Sequence, residues 1–131
     1  MRVDEIMTRS VVALSPRDTV ADAYEAFKRK NIHHLLVVEH GSVVGVLSVR
    51  DVSGQRDDVA VEKLMSRGIR VAEPSLTIKE AATMMMGRNS GCLPIVENGR
   101  LAGIVTTTDL LHVLSHSALA HGATVSQHDP V

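Results

Sequence analysis

The sequence predicts a mixed α/β fold made of two copies of one strand–helix–strand–strand–helix unit. The chain overlays on itself: with Val3 placed over Val61, the two stretches stay in register to Val52 over Leu110 without a gap. Met7 meets Met65, Pro16 meets Pro74, Gly45 meets Gly103 and Asp51 meets Asp109. Each copy sets a threonine three residues before an acid ahead of a helical apolar pattern, then carries two short apolar runs split by a turn. The overlay gives the number of units, the threonine–acid pairs give the helix starts, and the split runs give the hairpins.

A brief strand is expected first, near Val11–Leu14 in one copy and Ile69–Ala72 in the other. Thr19 and Thr77 follow proline-containing turns, with Asp22 and Glu80 three residues on. At that spacing the hydroxyl takes a free N–H of the first turn, and the carboxylate accepts from the threonine's own N–H. Val20, Ala23, Tyr24 and Phe27 recur at helical spacing, as do Ile78, Ala81, Ala82 and Met85. Each helix therefore has one apolar face and is expected to end near Asn31 or Asn89. Leu35 to Val38 and Val43 to Leu47 form a hairpin across His40-Gly41, and Leu93 to Val96 and Leu101 to Val105 form another across Asn98-Gly99. Asn-Gly suits such a turn because both residues tolerate positive φ. A closing helix ends each copy, short in the first and running from Thr107 to about Leu119 in the second.

Units of roughly 50 residues bury too little surface to stand alone, so the copies are expected to pack sheet to sheet in one module. The first is expected over residues 1–53 and the second over 61–120, with a linker at 54–60 and a flexible tail at 121–131. Composition narrows the function. Fourteen basic against 15 acidic residues give a net charge of −1, whereas a sequence-independent grip on nucleic acid needs a basic excess. The densest basic cluster, Lys28-Arg29-Lys30, falls at a predicted helix end, where cations meet the dipole. One Phe, one Tyr and no Trp leave no rings to stack single strands. The single Cys92 excludes an internal disulfide and a multi-cysteine zinc site. Neither a secretory signal nor a membrane span is expected, and a cytoplasmic protein is the default.

Met7-Thr8-Arg9 and Met65-Ser66-Arg67 lead the copies, followed by Pro16-Arg17-Asp18-Thr19 and Ile32-His33-His34-Leu35 in the first. Gly45-Val46-Leu47-Ser48-Val49-Arg50-Asp51 and Gly103-Ile104-Val105-Thr106-Thr107-Thr108-Asp109 close the hairpins. In these motifs, over residues 2 to 118, the chain resembles the cystathionine-β-synthase-type (CBS) repeat family. The resemblance implies a Bateman module: two pseudo-symmetric repeats, commonly dimerised, with no catalytic residues, no metal and no required cofactor. It also implies a regulatory adenine nucleotide (AMP, ADP, ATP or S-adenosylmethionine) in clefts between the repeats, whose state a partner protein reads.

The closing motif has sound local chemistry for such a ligand. An aspartate at a strand-to-helix junction can accept from both hydroxyls of a ribose, a helix start offers N–H groups to phosphate, and a glycine admits a close approach. By resemblance, Asp51 and Asp109 take ribose diols, and Ser48 and Thr106 contact ribose or phosphate. The resemblance also joins Asp109 with Thr8, Val11, Ile32, His33 and His34, and Asp51 with Ser66, Ile69, Ser90, Gly91 and Cys92. Arg50 stands beside Asp51. With His33 and His34 on its side, the Asp109 cleft is expected to prefer the more anionic nucleotide. Leu36 stands where the second copy, like much of the family, has proline, Pro94, and is expected to relax the entry to the first hairpin.

Rival readings stand beside these. A Ser or Thr with Asp near a helix start is in general an N-cap. Met84-Met85-Met86 presents Met85 to the core, and His112 and His116 stand at a spacing able to chelate a metal. A nucleotide-independent dimerisation scaffold and a His-dependent metal sensor are therefore the alternatives to a nucleotide sensor. A Cys92–His34 couple can be assembled on paper, but nothing in the sequence resembles a nucleophile elbow, a zinc-hydrolase helix or a Walker loop.

Overall fold

The computed structural model describes residues 1–88 and 91–125, with side chains through 87 and from 91 to 116. Thr19 opens the first helix as its spacing predicts: its Oγ1 accepts from the Asp22 N–H at 3.4 Å, and the Asp22 carboxylate accepts from the Thr19 N–H at 2.9 Å. Thr77 and Glu80 repeat the box at 3.1 and 3.0 Å. The Thr77 N–H, with its hydroxyl second, holds the exposed Glu80 carboxyl below its ordinary range. The helices that follow are α1 (Val20–Lys30) and α3 (Ile78–Arg88). Asn31 ends α1 in the left-handed conformation at φ 53°. The expected counterpart, Asn89, lies outside the described residues.

Each copy forms one antiparallel hairpin, β2 (His34–Glu39) with β3 (Ser42–Ser48) and β4 (Cys92–Glu97) with β5 (Arg100–Thr106). Both turns use paired positive φ, at His40-Gly41 and Asn98-Gly99. The register slips at the same place in each, after Val37 and after Ile95. Replacing proline by Leu36 therefore does not relax the first hairpin.

That residue acts elsewhere. In the first copy β1 (Ala13–Leu14) pairs in parallel with β2, helped by the Leu36 N–H, which donates to Val12 O at 3.4 Å. Pro94 has no N–H to give. The strand expected over 69–72 is accordingly reduced to a single bridge between Ala72 and Ile95.

The leading segments cross over. Thr8 bridges to Ile104 of β5, with both N–H···O bonds at 2.9 Å, and Ser66 bridges to Val46 of β3 in the same way. Val61 and Met65 are buried with Val20, Phe27, Leu35 and Leu47 of the first copy, while Val3 and Met7 are buried with Ala81, Met85, Leu93 and Ile95 of the second. Each copy's core is thus closed by residues that precede the other. Gly45 and Gly103 serve this crossing. A side chain at Gly45 would run into Met65, and one at Gly103 would meet Thr8 O at 2.7 Å. The close approach that these glycines admit is made by the protein's own chain.

Between the two hairpins, Leu36, Cys92 and Ile104 form a third buried cluster that holds sheet against sheet. The stretch after the first copy is tied down: Val20 and Ala21 donate to Val59 O and Asp57 O at 2.9 and 3.1 Å. The first closing helix, α2, is one turn long (Val49–Val52). The second, α4 (Thr107–Val125), runs past its expected end at Leu119 into the stretch expected as tail. Ala118, Ala120 and Ala123 are strong helix formers, and no proline intervenes before Pro130. Residues 126–131 lie outside the described residues.

Candidate functional site

A cleft of roughly 890 Å³ opens between the copies, within the range of small-molecule sites. The turn from β3 into α2 supplies Ser48, Arg50 and Asp51, and the segment after the second lead supplies Ser66 and Ile69. Gly91 and Cys92 at the start of β4 complete the set that sequence assigns to Asp51, apart from Ser90, which lies outside the described residues. His33 and His34 line this same cleft. The sequence reading placed them with Asp109; the short approach to β2 instead sets them beside α2 of their own copy, where the Val49 N–H donates to His33 O at 3.3 Å.

Asp51 is first of all a capping residue. Its Oδ2 accepts from the Ser48 N–H at 2.7 Å, and its own N–H donates to Ser48 Oγ at 3.3 Å. The cap uses one carboxylate oxygen and leaves Oδ1 with no bond from the described residues, so cap and ribose acceptor are compatible roles. The start of α2 is otherwise spent. With the Val49 and Asp51 N–H groups bonded inside the protein and only four residues in the helix, it offers phosphate little. Positive charge must come from side chains.

Such side chains are present, and two of them escaped the sequence reading. Arg67 and Arg70 join Arg50 in lining the cleft. Arg67 Nη2 donates to Glu62 O at 3.2 Å, the same contact that Arg9 makes to Asp4 O in the other copy. Neither Arg50 nor Arg70 pairs with a carboxylate among the described residues. Arg70 sits two residues after Gly68, which has φ +65°, and Pro94, whose O accepts from the Ala72 N–H at 3.0 Å, has no N–H to give Arg70 O.

His34 lies against Gly91, where a Cβ would stand 2.8 Å from its Nε2. Burial lowers the His34 pKa and neighbouring His33 lowers it further, while Asp51 pulls the other way. Burial also pushes the Cys92 thiol up to about 12, the reverse of what a nucleophile needs.

The Asp109 side is different. Thr106 and Asp109 repeat the cap at 2.8 and 3.2 Å. Asp109 borders an open hollow of roughly 420 Å³ with Met1, Ile6, His112, Val113 and His116. Thr8 sits beside Ile104, two residues from Thr106 in β5. Val11 packs between the sheets and Ile32 against the first core, so neither lines either opening. His112 and His116 have ring centroids 6.3 Å apart, and His116 Nδ1 lies 2.8 Å from His112 O. No group of three metal-ligating side chains occurs among the described residues.

The family model for the CBS domain matches residues 3–55 and again 61–116. The chain belongs to the CBS-domain family. Among curated relatives, the CBS domain-containing protein YhcV of Bacillus subtilis is 31% identical over 114 residues, 82% of this chain and 81% of YhcV. The chain spans only 43% of a longer relative, the Methanocaldococcus jannaschii protein MJ0188, at 32% identity and 85% of its own length. The CBS pair of protein MJ0100, solved with 5′-methylthioadenosine and S-adenosyl-L-methionine, shares the fold with a TM-score of 0.83 at 23% identity, over 89% of this chain and 98% of that one. CBSX2, solved with AMP, shares it with a TM-score of 0.76 at 24% identity, over 88% and 97%. No described helix of this CBS pair is long and apolar enough to cross a membrane.

Proposed function

We propose that this CBS pair is a regulatory module that binds an adenine nucleotide in the Asp51 cleft. The carrying observation is the Ser48–Asp51 pair on the cleft wall, whose capping bonds leave Asp51 Oδ1 for a ribose diol. The two ligand-bound relatives of the same fold support adenine as the base. Because the cleft is walled by both copies, a nucleotide that binds one relative arrangement better than another shifts their equilibrium, and a partner protein reads the shift. The test is calorimetric titration with AMP and 2′-deoxy-AMP. Wild type is expected to bind the ribonucleotide roughly tenfold tighter. Asp51→Asn keeps an acceptor for the Ser48 N–H and is expected to close that gap. Equal affinity of wild type for both ligands, or an unchanged gap in the variant, would remove Asp51 from ribose recognition.

One observation favours self-association alongside ligand binding: Leu111 and Leu114 of α4 are 58% and 63% exposed. A second copy is the proposed cover for them. Sedimentation should then show a dimer that Leu114→Asp converts to monomer.

A further inference from the structure

We propose that the Asp51 cleft selects its nucleotide by phosphate charge, with Arg70 meeting the terminal phosphate. It takes a nucleoside di- or triphosphate ahead of a monophosphate, and ahead of S-adenosylmethionine with its cationic sulfonium. This rests on the adenine-nucleotide reading above and adds to it the class of nucleotide.

Three guanidiniums, Arg50, Arg67 and Arg70, line the cleft against a single carboxylate, Asp51. That carboxylate is already engaged in the cap through Oδ2. Arg67 is held by Glu62 O, a neutral acceptor, so its charge is not cancelled. The cleft thus carries a positive excess that no ion pair among the described residues offsets. Hydrogen bonds from guanidinium to phosphate are charge-assisted on both sides and match in geometry. The same excess repels a sulfonium, so discrimination comes from repulsion as well as attraction.

The internal repeat isolates what is special here. In register with Arg50, Arg67 and Arg70 stand Thr108, Arg9 and Val12. Val12 packs against the first core, on a segment that the Leu36 N–H ties to the sheet. Arg70 is exposed, two residues before Ala72, which bonds Pro94 O at 3.0 Å; Pro94 has no N–H to give Arg70 O the bond that Val12 O takes from Leu36.

Isothermal titration of wild type, Arg70→Ala and Arg70→Lys with AMP, ADP, ATP and S-adenosylmethionine tests this, in metal-free buffer at low and raised salt. Wild type is expected to bind ATP at least about tenfold tighter than AMP, with a steeper loss in salt. S-adenosylmethionine should bind weakest. Arg70→Ala should weaken ATP about tenfold and AMP much less, bringing the two close with the melting temperature unchanged, and Arg70→Lys should keep most of the ATP preference. AMP bound as tightly as ATP by wild type, or AMP and ATP weakened alike in Arg70→Ala, would overturn the inference and leave nucleotide binding standing. No binding of any of the four ligands would remove both.

Discussion

The two ends of the module have the same backbone device and opposite chemistry. At each, a hydroxyl residue and an aspartate three positions on form a capping box at the junction of strand and helix. Around Asp51 that device stands in a deep cleft with three arginines and two histidines; around Asp109 it borders an open hollow with Met1, Ile6 and two helix histidines. The capping box therefore does not by itself make a cleft. What differs is the neighbouring segment: Arg50 and Arg70 stand where the other copy has Thr108 and Val12.

The largest effect should come from breaking the crossover that both halves share. Met7→Ala and Met65→Ala each remove a buried side chain and should cost about 2–5 kcal/mol. Hydrogen exchange should then show damage in the opposite copy: at Ile104, whose N–H donates to Thr8 O, for Met7→Ala, and at Val46, whose N–H donates to Ser66 O, for Met65→Ala. Damage confined to the variant's own copy would deny the exchange of leads.

Next come the glycines beneath those leads. Gly103→Ala drives a methyl into the Thr8 carbonyl, which cannot turn aside, and should cost about 1–3 kcal/mol. Gly45→Ala meets only the Met65 side chain, which can swing away, and should cost less. Equal losses in thermal melts would mean that the two leads are seated alike. A smaller effect is expected of Pro94→Ala, which restores an N–H that can bond the chain near Arg70 as Leu36 bonds Val12. That bond contributes about 0.5–1.5 kcal/mol, and slow exchange of the new amide is the readout. Fast exchange would show that something other than the missing donor keeps the segment off the sheet.

The smallest effect is a pH dependence confined to one cleft. Because the His34 pKa is lowered on folding, the folded state binds fewer protons than the unfolded one. Its contribution is fully present above the ordinary value of 6.5 and is lost as pH falls through the folded value. Denaturant melts should therefore weaken as pH falls from 6.5 through the folded value, and less so in His34→Asn. An identical pH profile in the variant would assign the acid sensitivity to other groups.

The sequence made the repeat, both capped helices and both hairpins legible, because each rests on contacts within a few residues: Thr19 with Asp22, Asn98 with Gly99. Ser66, Ile69, Gly91 and Cys92, which the family resemblance groups with Asp51, line the same cleft as that residue. The resemblance groups His33 and His34 with Asp109, whereas they line the cleft beside Asp51, a side that depends on how one sheet lies over the other; Arg70 lines that cleft too, outside every motif singled out in the sequence. The role of Gly45 and Gly103 was hidden as well, since both are required by a chain segment from the other copy.

The crossing leads have a consequence for how the chain reaches its fold. Thr8 can find Ile104 only after β5 of the second copy has been synthesised, and the first core stays open until Val61 and Met65 arrive. Such distant pairings raise contact order and slow folding. The first copy can therefore close once Met65 is made, and the second, which also needs its own β5, gains protection last.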